Sequence, residues 1–194
     1  CVKVLSGFYV KSNWVEPREK TLVPFRARGL FLYIKLKEMT IMFYLSTRGN
    51  NKKLTSSQAI IKGICEDGGL YVPNEFPNIL NDLSELINLN YCQLSFFILN
   101  KFLVDFSKEE LETCISNAYD SKFDNIDISP ISKVGDNFFL ELYHGPTLAF
   151  KDMALTIMPH LLKKSIEKNN LNKEIIILTA TSGDTGKDAL EGFK

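Results

Sequence analysis

Four consecutive apolar residues, Ile175-Ile176-Ile177-Leu178, run directly into Thr179-Ala180-Thr181-Ser182-Gly183-Asp184-Thr185-Gly186-Lys187. A short β-branched run that ends in a Gly/Ser/Thr loop and then opens a helix is the pattern of a buried parallel strand. One helix length earlier stands Glu141-Leu142-Tyr143-His144-Gly145-Pro146-Thr147-Leu148-Ala149-Phe150-Lys151-Asp152, a strand end leading into a helix that starts at Lys151. Strand, helix, strand, helix in that order implies right-handed crossovers. The fold class expected is α/β, an open, mostly parallel sheet with helices on both faces.

In detail, Phe138 to Tyr143 reads as a strand and Lys151 to Lys168 as a helix buried on several sides. Pro159 should kink that helix, at about 3 kcal/mol unless packing compensates. Glu174 to Leu178 is the next strand, and a final helix starts near Gly186. Before about Asn125 the style differs. Met42 to Leu45 and Leu70 to Val72 read as short strands, and Ser56 or Ser57 can cap a helix ending at Gly63. Apolar residues at helical spacing fill Leu80 to Asn88 and Tyr91 to Val104. Ser107 and Glu110 form a capping box for a helix through Leu111, Cys114, Ile115 and Ala118. The domains expected are a small helix-rich N-terminal domain, 42–125, and the beginning of an α/β domain, 126–194.

Segment 1–41 fits neither. It mixes aromatics with basic residues and shows no sustained periodicity, so it stays unassigned, with a targeting peptide as one reading. The more economical reading is sequence upstream of the true start, with Met39 or Met42 as the natural first residue. Net charge is zero over the whole chain, which argues against nucleic acid as a bulk electrostatic partner. No apolar run reaches the roughly 20 residues of a membrane span. Cys1, Cys65, Cys92 and Cys114 are scattered without a CxxC pair, so they read as buried thiols and no metal site is expected.

The chemistry concentrates at Lys151. A nucleophilic lysine must be neutral, and apolar neighbours (Leu148, Phe150, Met153) together with a helix N-terminus disfavour its charged form. That environment suits a Schiff base with an aldehyde cofactor. The loop from Thr179 to Gly186 offers free backbone N–H groups and hydroxyls to a carboxylate or phosphate. It is not a nucleotide P-loop, because Thr181 stands where the first glycine belongs and Asp188 where the magnesium-binding hydroxyl belongs. His144 can face the site as a proton donor or phosphate contact, and equally can be a packed structural histidine.

The two long motifs resemble threonine synthase, a pyridoxal 5'-phosphate family of the tryptophan-synthase β-like fold. Phe43-Tyr44-Leu45-Ser46-Thr47-Arg48-Gly49 and Glu66-Asp67-Gly68-Gly69-Leu70-Tyr71-Val72-Pro73 are similar to that family's N-terminus. The resemblance covers roughly 42–194. It implies a cytoplasmic lyase of threonine biosynthesis that converts O-phosphohomoserine and water to L-threonine and phosphate. Lys151 would hold the cofactor as a Schiff base and then shuttle protons, with Phe150 and Asp184 beside the cofactor. Thr181, Ser182, Gly183, Asp184, Thr185 and His144 would bind substrate. No nucleic acid or membrane partner is implied, and the oligomeric state is left open, a monomer included.

The family's cofactor-phosphate loop and pyridine-nitrogen partner are expected beyond the position of Lys194. The resemblance therefore implies that residues 1–194 alone are a truncated, inactive fragment. The alternatives are a threonine-synthase-like phospho-lyase, another enzyme of this fold such as threonine dehydratase, and a non-catalytic remnant.

Overall fold

A computed structural model describes the backbone of 8–10, 22–27 and 30–35, and residues 42–178, 180–181 and 183–194, leaving aside the side chains of Asn81 and Asp184. The chain divides into two compact units, 1–41 and 42–194. In the first, β1 (Phe8–Val10), β2 (Leu22–Ala27) and β3 (Leu30–Lys35) form an antiparallel sheet in the order β1-β3-β2. Sequence reading found no strand here. The signal was present in Leu30-Phe31-Leu32-Tyr33-Ile34, a β-branched and aromatic run preceded by glycine.

The second unit opens with β4 (Tyr44–Ser46), paired antiparallel with β5 (Tyr71–Pro73). Asp67 ties the segment between them. Its carboxylate accepts hydrogen bonds from Ser46 Oγ, Gly69 N and Asn50 N at 2.7–3.1 Å. These bonds, led by the Ser46 hydroxyl, push its pKa down to about 2. Helix α1 (Ser56–Lys62) lies between the strands and is capped by Thr55, one residue before the expected Ser56. Thr55 closes a box with Gln58, and this frees Ser56 Oγ to donate to Asp105.

The helical core follows. A short 3-10 turn (Leu80–Asp82) leads to α2 (Leu83–Leu86), then α3 (Tyr91–Phe102) and α4 (Lys108–Ala118). Ser107 caps α4 and Glu110 completes its box, as the spacing predicts. Leu111, Cys114, Ile115 and Ala118 line one face of α4, and all four are buried. They pack with Leu103, Phe106, Tyr119 and Phe123, and with Ile157 and Leu161 from beyond residue 150. One core thus runs across position 125.

The remainder departs from the expected sheet. Strand β7 (Asn137–Leu140) pairs antiparallel with β6 (Ile131–Val134) across a two-residue turn, with Gly135 at φ +61°. Residues 141–144 are not strand, and neither is Glu174–Leu178. Among the described residues every strand pairing is antiparallel. The reason is that a strand is defined by its neighbour: β-branched composition favours extended backbone but supplies no hydrogen-bonded partner. Ile176 and Leu178 are accordingly 81% and 93% exposed.

The expected long helix is two. Helix α5 (Asp152–Leu155) stops, and α6 (Met158–Lys168) restarts with Pro159 in its first turn. There the missing N–H costs nothing, because first-turn donors have no intrahelical partner. Helix α7 (Asp184–Gly192) ends the fold.

Candidate active site around Lys151

The turn that delivers Lys151 is built from Gly145 to Phe150. Leu148 N donates to Gly145 O at 3.0 Å, and Leu148 sits at φ +63°, a left-handed conformation that is costly for a leucine. Lys151 is the N-cap of α5, its carbonyl accepting from Ala154 and Leu155 at 3.0 and 2.9 Å. That helix has four residues, so the dipole expected behind the lysine is a single turn's. The half-buried Lys151 places Nζ 4.9 Å from the centroid of the Phe150 ring. No hydrogen bond or ion pair among the described residues engages that amine. Leu148 and Phe150 are both largely exposed, so the apolar surroundings expected from sequence are open on one side.

Behind the lysine lies a buried polar cluster. Asp152, 1% exposed, accepts from Thr147 N and Thr147 Oγ1, each at 2.9 Å. Thr147 Oγ1 also lies 2.5 Å from Oδ1 of Asp188, which is 2% exposed. Lys187 Nζ donates to Thr147 O at 2.9 Å. Tyr119 OH donates to Met153 O at 2.7 Å, fastening α5 to the helical core. None of these contacts is visible as a motif. The sequence reading named Asp152 only as a helix-start residue and did not single out Thr147 or Asp188 as tie points.

His144 is clamped between two carboxylates. Nδ1 lies 2.5 Å from Asp124 Oδ1 and Nε2 2.8 Å from Glu141 Oε2. A neutral imidazole donates from one nitrogen only, so both contacts are made best by the cation. Consistently, the hydrogen bonds to Glu141 and then Asp124 raise the His144 pKa, while the bond to His144 lowers that of Glu141. The structural alternative for His144 is thus the one its contacts favour. His160 is separate, half-buried, and its pKa is lowered by burial.

A raised histidine pKa adds stability that is fully present below about 6.5 and lost as pH rises through the folded value. A lowered glutamate pKa adds stability present above about 4.5 and lost as pH falls through its folded value. The clamp is therefore tightest between the two. By NMR, the His144 ring should titrate above 6.5, and Glu141→Gln should bring the midpoint down. A parent midpoint at or below 6.5 would refute the clamp.

In the glycine loop, Thr181 Oγ1 accepts from Gly183 N at 3.2 Å and Gly186 N at 2.9 Å. The loop amides are thus capped by the loop's own hydroxyl. A cavity of about 550 Å³ adjoins them, lined by Thr181, Gly183, Gly186, Lys187, Leu190, Glu191 and Lys194. Lys151 does not line it. Thr185 is half-buried in the first turn of α7. Asp184 begins α7, while its side chain, and Ser182 entirely, lie outside the described residues. No helix among the described residues is long and apolar enough to cross a membrane.

Known proteins resemble this chain. Residues 43–119 match a family described as the threonine synthase N terminus. Threonine synthase of Pseudomonas aeruginosa is 37% identical over 161 residues, covering 79% of this chain and 33% of the relative. Human threonine synthase-like 1 is 37% identical over 142 residues, covering 71% of this chain and 19% of that protein. The crystal structure of PLP-bound threonine synthase from Brucella melitensis superposes with a TM-score of 0.72 at 34% identity, covering 78% of this chain and 33% of that one. The chain spans about a third of the length of the threonine synthases it matches.

Proposed function

The chain belongs to the threonine synthase family, and on that premise we propose that it carries the lysine of a pyridoxal-phosphate enzyme making L-threonine. The observation that carries the reading is Lys151 itself, an amine without a partner among the described residues, beside an aromatic ring 4.9 Å away. Such an amine fits the aldehyde end of the cofactor. When bound, pyridoxal phosphate supplies an electron sink for the bonds broken next to the substrate amine.

The chain's own residues do the rest. Lys151 Nζ would hold the cofactor and would take and return the proton at the substrate carbons. Phe150 packs beside it. Thr181, Ser182, Gly183, Asp184 and Thr185 are the residues that would bind the carboxylate of O-phosphohomoserine, with Asp184 also assigned to the cofactor. The Thr181 hydroxyl holds two of the loop amides and must yield to the substrate. His144, with Glu141 and Asp124, fixes the segment that leads into the lysine turn. In the whole enzyme, Glu174–Leu178 becomes a strand of a parallel sheet. Its β-branched composition and the exposure of Ile176 and Leu178 support that reading.

Product analysis tests the proposal. Residues 42–194 would be assayed alone and joined to the C-terminal two thirds of the Pseudomonas aeruginosa enzyme, with pyridoxal phosphate and O-phosphohomoserine supplied. Threonine and phosphate in equal amounts are expected from the joined protein and not from the chain alone. A joined protein that holds the cofactor yet releases no phosphate would overturn the substrate. Release of a 2-oxo acid and ammonia instead would favour a threonine-like substrate or a phospho-lyase relative, the reading that the likeness to threonine synthase-like 1 keeps open.

A further inference from the structure

Helix α7 follows the glycine loop, and little apolar surface holds it in place. It has nine residues, too few to be stable alone in water. Among its described side chains only Asp188 and Ala189 are buried, and alanine contributes little area. What Asp188 meets is Thr147 Oγ1, 41 positions earlier in the chain and four before Lys151. Its other oxygen, Oδ2, is buried with no partner. A carboxylate taken out of water at that cost implies a contact worth keeping.

We propose that Asp188 is a positioning residue: through Thr147 it locks α7, and with it the Gly183 loop, onto the turn that carries Lys151. Two further contacts follow the same line. Lys187 Nζ donates to Thr147 O at 2.9 Å, and Gly192 seats the far end of α7 against Leu155 O and Pro159. The hydroxyl of Thr147 is the shared point, because it also serves Asp152, the residue next to the lysine.

The Thr147 hydroxyl carries one hydrogen between two carboxyl groups, and this makes the tie testable. Asp152 accepts from Thr147 N with one oxygen and faces the hydroxyl with the other. An asparagine there can keep its oxygen on the N–H and donate its amide to Thr147 Oγ1, leaving the hydroxyl hydrogen to Asp188. Asp188 uses one oxygen only, so an asparagine can present either its oxygen or an amide hydrogen to Thr147. Asp188→Asn and Asp152→Asn should therefore keep the tie, whereas Asp188→Ala and Asp188→Leu should lose it.

The functional part of this inference rests on Lys151 being the cofactor-holding lysine, whereas the tie itself does not. The experiment is amide hydrogen exchange on the 194-residue chain, followed at 187–193 and 149–156, with α4 as the control for global unfolding. Loss of a buried hydrogen bond to a carboxyl group predicts exchange at 187–193 faster by roughly tenfold in Asp188→Ala and Asp188→Leu. Asp188→Asn should stay within about threefold of the parent, since the bond is retained. Unchanged exchange in Asp188→Ala overturns the proposal. Rescue by leucine would mean that filled volume, not the hydrogen bond, holds the helix. Asparagine as damaging as alanine would equally sink it. Because no cofactor is used, failure here is separable from failure of Lys151 to capture pyridoxal phosphate.

Discussion

Replacing Lys151 with alanine should abolish borohydride-stable capture of pyridoxal phosphate at this site in the protein joined to a relative's C-terminal part. Surface lysines also react with the aldehyde, so colour alone decides nothing. Peptide mapping after reduction does, because one stoichiometric label is expected on Lys151 and scattered traces elsewhere. Its amine has no partner among the described residues, unlike those of Lys101, Lys164 and Lys168, which are taken up by carboxylates. Lys53 and Lys133 likewise stand free beside a ring, so the turn that ends in α5 is what singles Lys151 out. Lys151→Arg keeps the charge and the place over the ring but not the nucleophile, and it should fail equally. Threonine formation should drop by at least about a thousandfold, since proton transfer alone contributes roughly a hundredfold to ten-thousandfold. A stoichiometric label on another lysine of the parent would remove Lys151 from the reaction and leave the fold untouched.

That lysine was singled out from sequence because its signals are local. A turn motif, an apolar neighbour and a helix start lie within a dozen residues, as do the Ser107–Glu110 box and the disturbance at Pro159, expected as a kink and found as a break between two helices. What was not legible is tertiary. Thr147, Asp152 and Asp188 meet across 41 positions, and no spacing rule links them. The strand at Glu174–Leu178 failed for a related reason, since composition reports a preference for extended backbone while a strand needs a neighbour to pair with. His144 stood between two readings until its partners were known. Asp124 holds one nitrogen and Glu141 the other, two contacts that no spacing announces. The sheet in 1–41 was missed although Leu30–Lys35 carries a strand composition, because the surrounding residues hide the alternation.

Gly145→Ala should be the most damaging small substitution near the site. Gly145 is buried, and a Cβ there would fall inside the Asp152 side chain, meeting its carboxylate, Cγ and Cβ at once. A flexible side chain could swing away from such an intrusion, but a buried aspartate fixed by Thr147 N and Oγ1 cannot move without abandoning both bonds. Overpacking costs about 1–3 kcal/mol, and leaving a buried donor unpaired costs about 1–3 kcal/mol more. A loss of about 3 kcal/mol is therefore expected, or a fall in Tm of about 6–12 °C for a chain of this size. Shortening the aspartate to alanine should remove two of the three clashing atoms, leaving its Cβ, but not restore the bonds. In the double variant Gly145→Ala/Asp152→Ala the two costs should thus be less than additive. Full additivity, or a single variant whose Tm stays within about 1 °C of the parent, would show that the turn tolerates the methyl group and that Asp152 is not pinned beneath it.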